Sequence, residues 1–305
     1  MGTPLQWILF NLFVIAAITL DLKVFHRRPH RVGLREAGVW SVAWVGMSIL
    51  FGLGLMHYSG RQQSLEFFTG YLIEKALSVD NLFLFLLIFR AFAVDERIQH
   101  RILEWGIMGA LVMRGAMIAA GAALIEEFSW VMYLFGAFIV YAGMHMLFLK
   151  KEEVHPEKSL LFRLASKRLR LTRGYQGERF FVREGGRLFA TPLFLVLLMV
   201  EITDVTLATD SIPAVFGITH NSFIVYSSNV FAILGLRSLY FLLAGMLDRL
   251  RYLDEGLAFV LVFIGGKMIA EPWVHVSVQL SLGIVGGMLL AALIASLLFP
   301  AKAKK

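Results

Sequence analysis

The sequence predicts an all-α polytopic membrane protein with about nine transmembrane helices, six of which form an inverted repeat of two three-helix units. Three observations support this fold class. The chain of 305 residues is 58% hydrophobic and only 17% charged, which is far more apolar than an average soluble domain. Nine apolar runs have lengths suited to crossing a bilayer. Basic residues are concentrated in alternate connections between these runs.

The apolar runs divide the chain into candidate spans and regions. The runs cover residues 4–24, 37–56, 67–90, 103–125, 128–149, 190–217, 222–246, 256–271 and 276–299. We expect two N-terminal helices (1–66), a first three-helix repeat (67–149), a basic cytoplasmic loop (150–189), a second, inverted repeat (190–271), and a last helix with a basic tail (272–305). Within the loop, Ser159 to Thr172 mixes apolar and cationic residues. This segment is either a helix on the inner leaflet or a tether between the halves.

The positions of the positive charges predict the orientation. Of the 29 lysines and arginines, 24 lie at or beyond the ends of spans one, three, five and seven or in the tail, whereas the opposite side carries one, Arg61. The positive-inside rule then places the N-terminus outside and the C-terminus in the cytoplasm of a multi-pass inner (plasma) membrane protein. The net charge of +7 is explained by topology, so we expect the lipid bilayer and not nucleic acid as a partner.

An acidic motif occurs twice inside the apolar runs. The first copy is Glu74-Lys-Ala-Leu-Ser-Val-Asp80-Asn81, and the second runs from Glu201 through Asp204 to Asp210-Ser211. Each copy is followed by a span with a central arginine and then by a glycine-bearing span. Because a unit of three helices enters on one face and leaves on the other, two consecutive copies have opposite orientation. Secondary transporters use this plan and bind substrate near the midplane.

The five motif acids need a compensating partner. An ionised side chain at the bilayer centre costs roughly 2.5 to 3.5 kcal/mol, so five unpaired acids would cost about 12 to 18 kcal/mol. The acids must therefore meet cations, bind protons or line water. The alternative, five acids on solvated loops, requires that their segments lie outside the membrane.

The geometry of a regular helix restricts which acids can share one ion. Residues seven apart are about 20° out of register, so Glu74 faces with Asn81 and Asp204 with Ser211. Asp210 stands about 120° away from Asp204, and Glu201 points nearly opposite Asp210. Since Pro213 disfavours regular helix, we expect the sixth span to bend or unwind between Asp210 and Pro213.

The donor types in the motifs restrict the ligand. Cysteine is absent from the chain, which excludes disulfides, zinc thiolates and iron–sulfur clusters, and neither motif contains histidine. Carboxylate, amide and hydroxyl oxygens suit a hard or borderline divalent cation, namely Mn²⁺, Mg²⁺ or Ca²⁺.

Four cationic side chains lie inside the predicted spans. Arg114 and Arg237 are too deep for easy snorkelling, and we interpret them as partners of the acids in the ion-free or other-facing state. Fixed structural ion pairs are the alternative. Lys75 follows Glu74 and points about 100° away on a helix, so it is expected to serve another pair, and Lys267 is expected to behave similarly.

Three stretches resemble the TerC family of integral membrane proteins. They are FFTGYLIEKALSVDNLFLFLLIF (67–89), TPLFLVLLMVEITDVTLATDSIPA (191–214) and YSSNVFAILGLRSLYFLLAG (226–245). The resemblance implies a metal site and, from several bacterial members, Mn²⁺ export. Its implied metal-site residues are Glu74, Asp80, Glu201, Asp204 and Asp210, with Asn81 and Ser211 as neighbours. Leu207 stands where the family often has phenylalanine, which affects packing and not ligation.

The sequence analysis leads to two main functional hypotheses. The first is a secondary transporter, not an enzyme, that exports Mn²⁺ by alternating access with proton exchange as a further inference; Ca²⁺ and Mg²⁺ are the lesser candidates for the transported ion. The second is a membrane scaffold or assembly factor linked to protein metallation or to tellurite and metal stress, with the acids in static ion pairs. Tellurite handling itself is disfavoured because five carboxylates would repel an oxyanion. The sequence leaves the direction of transport and the oligomeric state open.

Overall fold

The computed structural model is almost entirely helical. It describes residues 3–25, 33–128, 130–148, 171–172, 174–184, 186–244 and 252–298, without the side chains at 22–25, 79–80, 83, 87, 90–91, 253–254 and 297. Most of the predicted basic loop, including nearly all of the segment 159–172, therefore lies outside the described residues.

Ten helices and one hairpin make up the described chain. The helices are α1 (Pro4–Phe25), α2 (Leu34–Tyr58), α3 (Arg61–Ala91), α4 (Glu96–Glu127), α5 (Val131–Phe148), α6 (Pro192–Phe216), α7 (Ser222–Leu234), α8 (Leu236–Ala244), α9 (Leu253–Ala270) and α10 (Val278–Leu298). The hairpin pairs β1 (Phe181–Glu184) antiparallel with β2 (Arg187–Ala190), and Phe181 lies opposite Ala190. It lies in the region predicted as a loop, where the sequence analysis expected no strands.

Every predicted apolar run coincides with a helix or, in the seventh run, with the pair α7 and α8. Six of the described helices are long and apolar enough to cross a membrane, or seven when α7 and α8 count as one bent span. This confirms a polytopic membrane protein. The helices α3 and α9 are not among these helices because their charged residues leave no apolar segment of that length, so the count of nine spans and the inverted repeat stay predictions.

Local sequence determines where several helices begin and end. The Asp95 side chain accepts a hydrogen bond from the Arg97 amide (2.9 Å) at the start of α4, and Asn221 accepts one from the Phe223 amide (3.1 Å) at the start of α7. Both satisfy amide groups that a helix start leaves unpaired. Pro192 begins α6 at a position where its missing amide costs little.

The predicted unwinding near Pro213 is absent, because α6 is one continuous helix from Pro192 to Phe216. A proline removes one backbone hydrogen bond, here that of the Thr209 carbonyl. Only three residues of α6 follow Pro213, and Ile212 to Phe216 are all buried, so packing of this last turn offsets the loss. The break lies instead between α7 and α8, where the chain bends by 44° at Gly235.

Two apolar clusters, named inner and outer after the orientation predicted from the sequence, lie along α4, α6 and α7 and are separated by a polar level; the inner cluster also includes residues of α3 and α8. The inner cluster includes Leu82, Phe85, Phe89, Leu103, Ala110, Val196, Met199, Ile233, Leu236 and Tyr240. The outer cluster consists of Ile118, Ala208, Ile212, Val215, Phe216 and Val225. Between them in sequence lie Arg114 on α4, Asp204 on α6 and Asn229 on α7. Glu74 on α3 joins this polar level through its contact with Arg114.

The helices α5 and α9 pack backbone to backbone through small residues spaced seven apart. A Cβ atom on Gly265 would lie 2.6 Å from the Gly136 carbonyl oxygen and 2.8 Å from the Val140 amide nitrogen. A Cβ atom on Gly143 would lie 2.8 Å from the Ala258 carbonyl oxygen. Small residues at such positions allow the close approach on which helix association in a membrane depends.

We expect Gly265→Ala to destabilise the protein by about 1 to 3 kcal/mol, because the added methyl overlaps backbone atoms that cannot rotate away. At the adjacent Gly266, an added Cβ atom would have no neighbouring atom within 4 Å, so Gly266→Ala is the matched control and should be neutral. The midpoint of thermal unfolding of the purified protein in detergent measures both. Equal midpoints for the two variants would contradict the packing described for α5 and α9.

Candidate metal centre

The polar level between the two apolar clusters is built around the guanidinium of Arg114. Its Nη2 donates to Oδ1 of Asp204 (3.0 Å) and its Nε to Oδ2 of the same carboxylate (3.2 Å). Its Nη1 donates to Oε1 of Glu74 and to Oδ1 of Asn229 (3.3 Å). The guanidinium thus joins four helices, and the two-point contact with Asp204 is the strong planar arrangement of arginine with a carboxylate.

This cluster is isolated from solvent. The exposed fraction is 0% for Glu74, 1% for Arg114, 3% for Asp204 and 1% for Asn229. One positive and two negative groups in a region of low dielectric leave a formal charge of −1 if both acids are ionised. The arrangement can therefore accept more positive charge than Arg114 supplies.

Several buried polar atoms near this level have no hydrogen-bond partner in the described part of the chain. They are Oε2 of Glu74, Oγ of Ser78, Oγ of Ser211 and Nδ2 of Asn229. Ser78 lies one helical turn from Glu74, and Ser211 lies two turns from Asp204. Buried polar groups are almost always satisfied, by protein, water or an ion. The unpaired oxygens are therefore available as additional donors to a ligand.

The structure brings together only part of the predicted metal-site set. Glu74 and Asp204 meet at Arg114, and Asn81 and Ser211 are buried on the same helices. The carboxylate of Glu201 lies against Gly109 of α4, and its buried Oε2 has no partner among the described residues. Asp210 is half-buried, and its side chain makes no hydrogen bond to another described residue. The Asp80 side chain lies outside the described part.

The helical geometry inferred from the sequence explains this division. Because α6 is unbroken, Asp204 and Asp210 cannot face the same point, and Glu201 is displaced by one turn toward the inner cluster. Within the described residues, no group of three or more histidine or acidic side chains is arranged to hold a metal ion.

The four predicted charge partners have different environments. Arg114 pairs with the motif acids Glu74 and Asp204. Arg237 contacts two carboxylates that lie outside the motifs, Asp21 (2.8 Å) and Glu104 (3.4 Å), and its pairing with a motif acid stays a prediction. Arg237 follows the bend at Gly235 and lies on the same side of the polar level as the inner cluster.

The two lysines also lie away from the centre. The ammonium of Lys75 donates to the carbonyl oxygen of Ala232 (3.2 Å) in the last turn of α7, not to a carboxylate. Lys267 lines a cavity of about 260 Å³ at the opposite end of the bundle, together with Glu66, Thr219 and Glu271. Glu66 accepts a hydrogen bond there from the Thr219 hydroxyl (2.6 Å).

Sequence reasoning missed Asp21 and Glu104 as partners of a buried arginine. Both lie close to predicted span ends, where an acid is ordinarily solvated. A signal was available, because an arginine inside a span needs a carboxylate within reach, but several acids lie at a comparable depth.

The model of one protein family, the integral membrane protein TerC family, matches residues 59–304. The chain belongs to the TerC family of integral membrane proteins. It is 46% identical to an uncharacterised membrane protein of Myxococcus xanthus, over 98% of this chain and 93% of that protein. It is 45% identical to the "Putative membrane-bound redox modulator Alx" of Salmonella typhi, over 96% and 94%. No solved structure matches.

We expect Arg114→Met in this TerC-family chain to lower the free energy of unfolding by about 3 to 5 kcal/mol, because Glu74 and Asp204 would remain buried without a counter-charge. Neutralising both acids in the same protein (Glu74→Gln with Asp204→Asn) should restore most of the loss. Unfolding of the purified protein monitored by circular dichroism measures both effects.

The matched control for this experiment is Arg61→Met, since Arg61 is exposed at the start of α3. It should change the free energy of unfolding by less than about 0.5 kcal/mol. If the triple variant were no more stable than Arg114→Met alone, the loss would come from packing, and the charge argument would be contradicted.

Proposed function

We propose that the protein is a secondary transporter that exports a divalent metal cation, Mn²⁺, by alternating access, and that Arg114 and the metal compete for the motif acids. One observation carries the proposal: carboxylates from both copies of the motif, Glu74 and Asp204, share a single buried guanidinium. A static pair would need one carboxylate for one arginine. The second carboxylate gives the cluster around Arg114 an excess of negative charge, which binding of a divalent cation requires.

In this proposal Arg114 holds the place of the metal. When Mn²⁺ binds Glu74 and Asp204, the guanidinium moves away, since both cations would otherwise compete for the same oxygens. The unpaired Oε2 of Glu74 and the hydroxyl of Ser211 add charged and neutral donors, and Glu201 offers a carboxylate one turn closer to the inner cluster. Asp80, Asn81 and Asp210 belong to the metal-site set that the family resemblance implies, and Asp210 would reach the ion only after a change in α6, since it faces away from Asp204 in the unbroken helix.

The chemistry of this donor set supports the choice of metal. All the candidate donors are oxygens, which favour hard or borderline cations over copper or zinc. We propose Mn²⁺ in preference to Mg²⁺ because Mg²⁺ gives up its water shell reluctantly, and the centre is buried between two apolar clusters. If the carboxylates bind protons after they release Mn²⁺, the return step carries protons in the opposite direction, and the cycle exchanges Mn²⁺ for protons.

The distribution of positive charge supports the proposed setting. We propose the inner (plasma) membrane, with the N-terminus outside and the basic end of the bundle in the cytoplasm. The relative from Salmonella typhi is named for redox modulation. This chain contains no cysteine, so a thiol–disulfide reaction of its own residues is excluded as the route to such an effect.

A membrane scaffold is the second candidate, and one observation favours it. The described residues contain no group of three histidine or acidic side chains arranged to hold a metal ion. Arg114 already compensates the charge of Glu74 and Asp204, as in a fixed structural ion pair. The two candidates differ in one measurable property: a scaffold carries no ion by itself.

We expect the purified protein in proteoliposomes to carry Mn²⁺, and we expect Glu74→Gln and Asp204→Asn each to lower the initial rate at least about 100-fold, because a lost charged ligand costs several kcal/mol. Asp80→Asn and Asp210→Asn should also reduce the rate. Fluorescence quenching of a Mn²⁺-sensitive dye inside the vesicles gives the rate.

Glu127→Gln is the control, because Glu127 is exposed at the end of α4 and should leave the rate unchanged. Flux that is absent from every preparation of folded protein, or that is equal in the Asp204→Asn and Glu127→Gln proteins, would contradict the transporter assignment and favour the scaffold.

A further inference from the structure

A second buried arginine ties together three helices on the inner side of the centre. Arg237, on α8, is 4% exposed. Its Nη2 contacts Oδ2 of Asp21 (2.8 Å) and donates to the Asp21 carbonyl oxygen (3.2 Å), while its Nη1 donates to Oε1 of Glu104 (3.4 Å). Asp21 lies in the last part of α1 and Glu104 near the start of α4. One guanidinium therefore connects α8 to two helices from distant parts of the chain.

The helix that carries Arg237 is attached through a break. Between α7 and α8, Gly235 has a φ of −96° and a ψ of 6°, outside the helical range, and the helix axis bends by 44°. A Cβ atom on Gly235 would lie 3.0 Å from the Lys75 ammonium nitrogen and 3.1 Å from the Trp44 Cβ. The close approach at this position favours glycine, and the break gives α8 a point about which it can turn.

The two sides of the break are held by different cations. Lys75 of α3 donates to the Ala232 carbonyl (3.2 Å) and so fixes the end of α7, as a cation at a helix C-terminus does. Arg237 fixes the start of α8 to α1 and α4. The end of α7 is therefore anchored independently of α8.

The inner apolar cluster contains side chains that α8 contributes. Leu236 and Tyr240 are 3% and 2% exposed and pack with Phe89 and Leu103. The Tyr240 hydroxyl also donates to Oε1 of Gln99 on α4 (2.9 Å). Rotation of α8 about Gly235 would withdraw Tyr240, which lies more than one helical turn from this pivot, from the region between Arg114 and the inner end of the bundle.

We propose that Arg237 is the latch of an inner gate, which opens when α8 turns at Gly235 and Arg237 leaves Asp21 and Glu104. The proposal rests on the proposed transport function for what passes through the gate. With the latch closed, Leu236 and Tyr240 seal the central carboxylates from the side proposed as cytoplasmic. With the latch open, a divalent cation reaches Glu201 and then Asp204.

The absence of cysteine from the chain allows a direct test with single introduced cysteines. Ala110→Cys reports on the inner cluster and Ala208→Cys on the outer cluster, since both alanines are buried. In inside-out membrane vesicles without added metal, a membrane-impermeant maleimide should label neither site quickly. Adding Arg237→Met should raise the labelling rate at residue 110 about tenfold or more by shifting the population toward the open form, with residue 208 unchanged.

Two further variants make the outcome decisive. Arg237→Lys keeps one charge and should give a smaller increase at residue 110 than Arg237→Met. Arg97→Met, at an exposed position near the start of α4, should give none. An unchanged rate at residue 110 with Arg237→Met overturns the proposal, and so does labelling of both cysteines, which would mean a general loss of packing. Because the assay contains no metal, its result does not depend on whether the protein carries Mn²⁺.

Discussion

The ion cluster of Arg114 with Glu74 and Asp204 is the constraint on which the rest of the structure depends. A buried guanidinium is tolerated only when carboxylates reach it with good geometry, and here they come from α3 and α6, which carry the two copies of the motif. Meeting this requirement fixes the depth of α3, α4, α6 and α7 relative to one another. The inner and outer apolar clusters then pack on either side of this ion cluster and keep its charges away from water.

Much of the helical organisation could be predicted because apolar runs of span length have few alternatives in lipid. All nine runs are helical, although α3 and α9 are too charged for composition alone to count them as spans. The predicted unwinding at Pro213 is absent because a proline near a helix end disturbs only one carbonyl, and buried packing of the last turn outweighs that cost. The hairpin at residues 181–190 was not predicted, because that segment was interpreted from its positive charge alone. The bend at Gly235 was not predicted either, because it lies in an apolar run that contains no proline.

The candidate site was predictable in part. Arg114 was recognised because an arginine in the middle of a span needs an acid, but the sequence did not indicate which of the five motif acids would meet it. The partners of Arg237 were missed because pairing between helices depends on their relative depth, which one sequence does not give. The same limitation left open which of Glu201, Asp204 and Asp210 would meet Glu74.

The central claim is that a divalent cation and the Arg114 guanidinium compete for the same two carboxylates. The most direct measurement is an anomalous-scattering map of crystals of the full chain soaked in Mn²⁺. The account predicts a strong peak between the carboxylates of Glu74 and Asp204, with the guanidinium withdrawn from both. Peaks confined to the protein surface, with Arg114 still bonded to Glu74 and Asp204 at saturating Mn²⁺, would contradict it.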